Sequence, residues 1–314
     1  MQNLVLIFGL VCPVFLIIAL GYFLKRLGTI NTNFIRLSTK IVFNVSLPAL
    51  IFTEVSKVSL DEVFDIKMLV FVYSGIIVSF IIIWLISIPL LKNGKDRGAF
   101  IQGSFRSNFA IIGLALISNI FGSDKLGKAS LLLAFIVPLF NILSVIALMV
   151  PNRKEKQLNA AKTLLEIIKN PLIIAVMLAI PFSHYRWNLP GIVLTTADYL
   201  AALSLPLALI GIGGFMNFED IKKASFTAIL SSTIKLVLIP LSACFIAYEL
   251  DFPAGDMGII FIFFGCPTAI VSFIMAEAMG SNGKLAGNIV LMTTLGSIIT
   301  ITTGLFILKQ NGLL

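Results

Sequence analysis

The chain has 314 residues, 58% hydrophobic and 12% charged. Soluble domains carry about 25% charged residues, so this chain lacks the charge to cover a soluble surface, and the same composition excludes disorder. The net charge of +8 does not point to nucleic acid, because most Lys and Arg fall between apolar runs, where membrane proteins keep topogenic charges.

A spanning helix takes about 20 apolar residues. Apolar runs predict ten, near 4–24, 34–54, 67–91, 99–121, 128–150, 164–183, 191–215, 224–248, 257–279 and 285–308. The first has no positive region before it, and Lys25 and Arg26 follow it. That order is wrong for a cleaved signal peptide and suits an N-terminus outside. The second has Arg36 and Lys40 in its first turns, a bend marked by Asn44, Ser46 and Pro48, and Glu54 near its end. The fourth carries Gln102, Gly103, Ser104, Arg106, Ser107, Asn108 and Gly113 at membrane depth. Asp198 opens the seventh, which bends at Ser204 and Pro206, and Lys235 lies about eleven residues into the eighth. The ninth carries Gly265, Cys266, Pro267, Thr268, Ser272 and Glu277.

Counting Lys and Arg in alternate loops gives fifteen on one side and six on the other. The positive-inside rule then places both termini outside a multi-pass plasma-membrane protein. Pro151–Lys169 is the main cytoplasmic loop, and a linker over 151–163 divides helices 1–5 (1–150) from helices 6–10 (164–314). An offset of 158 residues relates these halves: Pro13 meets Pro171, Ser46-Leu47-Pro48 meets Ser204-Leu205-Pro206, and Gly122-Ser123 meets Gly280-Ser281. Five spans is an odd number, so two tandem copies insert with opposite orientation. Inverted repeats are the architecture of many secondary transporters, which bind at the midplane and work by alternating access.

The offset pairs the polar clusters of helices four and nine and sets Asn108 opposite Cys266. Pro267 removes a backbone donor and should break or kink the ninth helix near Gly265. Unwound backbone at that depth is tolerated where it lines a cavity or is buried in protein, and half-helix N-termini suit an anion. Arg106 at mid-span would cost about 2.5–3.5 kcal/mol on insertion scales, so it either meets an acid or anionic substrate across a cavity, or snorkels to the cytoplasmic end. Ser107, Asn108 and Thr268 are candidate carboxylate ligands, with Gly113, Cys266, Pro267 and Asn44 beside them. Lys235, Glu54, Asp198 and Glu277 are candidates for a coupling ion, although each of the three acids also reads as an interfacial cap. Proton coupling, sodium coupling and uniport all stay open.

Enzymatic readings fail on inventory. The only histidine, His184, sits in a loop, so an intramembrane Ser–His dyad has no base. There is no phosphate-binding loop, and no His or Cys cluster for a transition metal. Cys12, Cys244 and Cys266 lie in apolar segments without ligand spacing. No enzyme and no cofactor or metal is expected. The partners expected are a small organic anion, a coupling H+ or Na+, the bilayer and a second copy in a homodimer. A channel or a non-transporting sensor is the alternative.

Several motifs resemble those of the auxin efflux carrier family. Leu20-Gly21-Tyr22 is similar to its LGY, and Phe43 through Leu50 to a Pro-containing signature. Asn108 through Leu116 resembles N-x-x-x-x-G-x-P-L, and Pro267 onwards resembles P-x-x-I-V-P-F. The resemblance covers nearly the whole chain. It implies an all-α membrane fold of ten helices in two inverted five-helix repeats, with broken helices four and nine crossing beside the substrate. That fold resembles bile-acid symporters and sodium–proton antiporters. The resemblance also implies Asn108 and the surroundings of Pro267 as contacts, and an organic anion as cargo. Ala115 and Ser272 replace two prolines of the pattern, which leaves the break in helix four open. The long cytoplasmic loop of many plant members is missing, so a bacterial-type carrier is expected, with auxin itself not the cargo.

Overall fold

The structure, a computed structural model, describes residues 2–57, 65–151, 171–187, 189–216 and 226–314. The linker expected over 151–163 lies, from 152 on, outside the described residues. Those residues are helical, with one isolated antiparallel bridge and no strand among them.

Helix α1 (Gln2–Arg26) is followed by α2 (Thr32–Ile41), a π turn (Val42–Ser46) and α3 (Leu47–Lys57), which together make one continuous rod. Asn31 starts that rod by accepting from the Phe34 amide. Pro48 lacks a backbone donor and its ring crowds the carbonyl four residues back, so the π turn just before it is the expected local widening. The same logic recurs later, where the π turn Ile234–Leu238 precedes Pro240. Helix α4 (Ile66–Leu90), capped by Asp65 on the Met68 amide, leaves Val70, Val78, Ile82 and Leu85 more than half exposed or close to it. An apolar helix with such an outer face needs lipid around it.

The fourth apolar run divides into α5 (Gly94–Phe105), a π turn (Phe109–Gly113) and α6 (Leu114–Phe121). Then follow α7 (Ser123–Met149), α8 (Pro171–Tyr185), and α9 (Gly191–Ala202) running into α10 (Ser204–Phe215). Helix α11 (Phe226–Thr233) leads through the second of those prolyl π turns into α12 (Ile239–Glu249). The ninth run is again divided, into α13 (Ala254–Gly265) and α14 (Val271–Ala278), and α15 (Gly283–Gln310) ends the chain. Seven of these rods are long and apolar enough to cross a membrane, and the described Phe109–Phe121 and Ala254–Gly265 are shorter apolar helices. The protein is a multi-pass membrane protein.

Backbone contact unites α1 with α10. A Cβ on Gly21 would strike the Ile210 backbone, and one on Gly213 would strike the Ile18 carbonyl. Small residues at such a seam let two membrane helices approach closely, where dispersion and not hydrophobicity drives association. Around the divided helices the packing is aromatic. The Phe140 and Phe263 rings stack at 5.9 Å, and Phe109 lies 4.8 Å from Phe263.

Candidate functional site

The two divided helices meet at their gaps. Arg106–Asn108 and Cys266–Ile270 run antiparallel: the Asn108 amide donates to the Pro267 carbonyl at 2.7 Å and the Ala269 amide to the Arg106 carbonyl at 3.4 Å. The carbonyls left at each half-helix end are capped from the opposite chain segment. Ser107 Oγ donates to Phe263 O of α13 at 2.7 Å, and Thr268 Oγ1 to Gly103 O of α5 at 2.6 Å. Thr293 Oγ1 of α15 accepts from the Thr268 amide. Helix four is thus interrupted even though Ala115 stands where a proline was expected. Its freed backbone groups find partners on the other strand of the crossing, which is the condition for irregular backbone in a bilayer.

A cavity of about 460 Å³ lies against this crossing. Its wall is mostly apolar, from Val42, Leu47, Leu133, Phe140, Phe215 and Ile274 among others; Arg106, Ser107, Asn108, Asn141 and Thr39 are its polar members. Arg106 is 7% exposed. It donates to Ser144 Oγ at 2.8 Å, to Asn141 Oδ1 at 2.9 Å and to Met275 Sδ at 3.1 Å. A guanidinium has five donors, and no carboxylate pairs with this one among the described residues. Asn108 is buried on the same wall, and its Nδ2 has no hydrogen-bond partner among the described residues. Ala110 and Ile111, at the start of the helical segment after the gap, and Ile270 and Val271, at the start of α14, line the same space. Two helix N-termini therefore open onto it, and both favour negative charge.

A second cavity of about 420 Å³ follows further along the same helices. It touches Glu54 where the first touches Thr39 and Leu47, Ser118 and Asn119 where the first touches Asn108, and Asp198 where the first touches Phe215. Buried Leu50, Ala115 and Leu209 line it towards the crossing. Lys57 bridges Asp198 at 2.9 Å and Glu54 at 4.0 Å.

The structure groups the residues singled out from sequence unevenly. Arg106, Ser107 and Asn108 share the first cavity; Glu54 and Asp198 share the second. Thr268 and Cys266 are fully buried and line neither, the Thr268 hydroxyl being committed to the Gly103 carbonyl. Pro267 contributes its carbonyl to the crossing. Gly113 packs on the Phe109 ring. Asn44 is exposed and bonds back to Lys40 O, and Glu277 is exposed at the end of α14. Lys235 is 1% exposed and donates to Phe264 O at 2.8 Å. Sequence reasoning missed Asn141 and Ser144. Their signal was present: two polar residues spaced i, i+3 inside an otherwise apolar stretch of α7 lie on one helix face.

Known proteins agree with this placement in a membrane. An uncharacterized transporter of Methanothermobacter thermautotrophicus is 24% identical over 294 residues, covering 93% of this chain and 95% of its own. The uncharacterized transporter YfdV of Escherichia coli K12 is 22% identical, covering 93% and 94%. A Rhizobium meliloti protein named "Putative malonate transporter" is 24% identical over 319 residues, 97% of each chain. A family model described as "Membrane transport protein" matches residues 6–305. With most of its length matched, the chain belongs to that family, the auxin efflux carriers, and is a transporter and not an enzyme.

Proposed function

We propose that the protein is a secondary carrier moving a small organic anion by alternating access. The observation that carries this reading is the pair of donors at the crossing: an Arg106 guanidinium without a carboxylate partner among the described residues and an unpartnered Asn108 amide, both on the wall of an apolar cavity. An unsatisfied buried amide and an unpaired buried charge are both costly, and a carboxylate satisfies the two together. The Arg106 fork and Asn108 Nδ2 would bind the carboxylate, the helix N-termini would add favourable dipoles, and the apolar wall would take the body of the anion. The name of the Rhizobium relative fits a carboxylate cargo.

In this reading the chain forms ten spans in two inverted five-helix repeats, linked by residues 151–163 and inserted in the plasma membrane with both termini outside. The reciprocal amide bonds at the crossing support it. They join Asn108 to Pro267 and Ala269 to Arg106 on either side of the Ser107–Thr268 bridge, whose two residues lie 161 apart, three more than the 158 that aligns Pro13 with Pro171. Two cavities in succession along the same helices, parted at the crossing, are what alternating access needs: each becomes the open vestibule in turn.

The test is uptake of a carboxylate panel, including malonate and benzoate, into proteoliposomes. Saturable uptake above empty vesicles is expected for at least one anion, and Asn108→Ala should raise its half-saturating concentration about tenfold, the cost of one such hydrogen bond. If no anion moves faster than in empty vesicles, the reading fails; flux that never saturates would make the protein a channel.

A further inference from the structure

Lys235 is nearly fully buried in the π turn before α12 and lines neither of the two cavities. Its ammonium donates to Phe264 O, a carbonyl of the last turn of α13. That turn is open because the helix stops at Gly265. Its carbonyls are used one by one: Ile262 O by the Cys266 amide, Phe263 O by the Ser107 hydroxyl, Phe264 O by Lys235. A helix C-terminus carries about half a negative charge. In carriers built on broken helices, such ends and the unwound carbonyls beside them coordinate the coupling cation.

We propose that Lys235 is the built-in cation of the crossing, its ammonium filling at the end of α13 the place of a coupling ion, so that anion transport needs no bound sodium. The proposal rests on the carrier reading above. One observation separates this role from a proton relay between Lys235 and a carboxylate. A relay hands its proton to an acid, and among the described residues no carboxylate is bonded to Lys235. In this role the positive charge at the end of α13 is supplied by the chain itself, through the Lys235 bond to Phe264 O. Arg106 is left to face the cavity, and Lys235 neutralises the half-helix behind it.

The experiment reconstitutes the full chain in proteoliposomes and follows radiolabelled malonate and benzoate with sodium present, imposed as an inward gradient, or replaced throughout by choline. Initial rates in the three media should agree within threefold. A greater acceleration by sodium would overturn the proposal while leaving the carrier reading intact, whereas no flux in any medium would remove the carrier reading and this inference with it. Lys235→Met, eluting as folded protein, should lose at least tenfold in rate, and Lys235→Ala should recover part of its loss in methylammonium, which replaces the severed ammonium. A folded Lys235→Met with rates within threefold of the parent would overturn the proposal. Should neither variant fold, the sodium comparison on the parent protein decides.

Discussion

At the residue scale, the candidate site depends on what an arginine does when buried with no acid bonded to it among the described residues. A lone charge in the bilayer is costly, and Arg106 offsets the cost only in part, through neutral acceptors on Ser144 and Asn141. Arginine presents a planar fork and lysine a point charge, so the two are not equivalent here. Arg106→Met should weaken anion binding by roughly 10- to 100-fold, in line with about 1.5–3 kcal/mol for a hydrogen bond to a charged group. Arg106→Lys should recover part of that. Titration of purified protein with the transported anion checks both, and unchanged affinity in Arg106→Met would remove the residue from the site. Asn141 belongs to the same unit, because it holds the guanidinium against α7.

At the element scale, the crossing survives because hydroxyls replace missing helix bonds. Thr268 was chosen from sequence as a ligand for the anion, yet its hydroxyl caps α5 and faces no cavity. Thr268→Val keeps the shape and removes the donor, stranding the Gly103 carbonyl. It should cost about 1–3 kcal/mol of stability, read as a lower thermal midpoint in detergent, with little change in the anion's affinity for the protein that remains folded. A large affinity loss without destabilisation would restore Thr268 as a ligand. Asn44→Ala serves as a control: that side chain is exposed and bonds only within its own turn, and exposed substitutions of this kind stay within about 0.5 kcal/mol. Legibility at this scale followed local chemistry. Pro48 marks a bend where the π turn lies, and Pro267 marks the gap in helix nine; the π turn before Pro240 follows the same local rule but was not read from the sequence. The gap in helix four has no proline of its own; it exists because the opposite segment satisfies it.

At the scale of the whole molecule, charged and polar clasps hold the outer ends of the divided helices. Lys128 at the start of α7 joins Asp256 of α13 at 2.8 Å and Asp65 before α4 at 3.0 Å. Asn282 before α15 donates to Asp96 of α5 at 2.7 Å. Partial burial works to raise the Asp65 carboxyl, but the Met68 amide and Lys128 outweigh it, so its pKa lies below the ordinary 3.8. A carboxylate with a depressed folded pKa adds stability that is fully present above its unfolded value and fades as pH falls through the folded one. The thermal midpoint should therefore drop as the pH falls below the ordinary carboxylate value of 3.8. Lys128→Met should lower it at pH 7 and flatten this acid decline. An identical acid profile in Lys128→Met would show that the clasp contributes nothing to it.

Composition, span lengths and alternating loop charges determine by themselves that this is a multi-pass membrane protein, because so little charge cannot cover a soluble surface and apolar runs of about 20 residues suit spanning helices, whose backbone bonds are internal. The polar clusters of the fourth and ninth runs also mark where the apolar pattern is broken and the two helices are divided. What only the tertiary structure decided is how those polar residues divide: Arg106 and Asn108 to the cavity, Thr268 to a helix end, Lys235 to the carbonyl of Phe264, with Asn141 and Ser144 recruited from α7. The reason is physical. Which way a side chain faces at the crossing is set by partners from 29 to 165 residues away in sequence, and no local periodicity encodes contacts of that range.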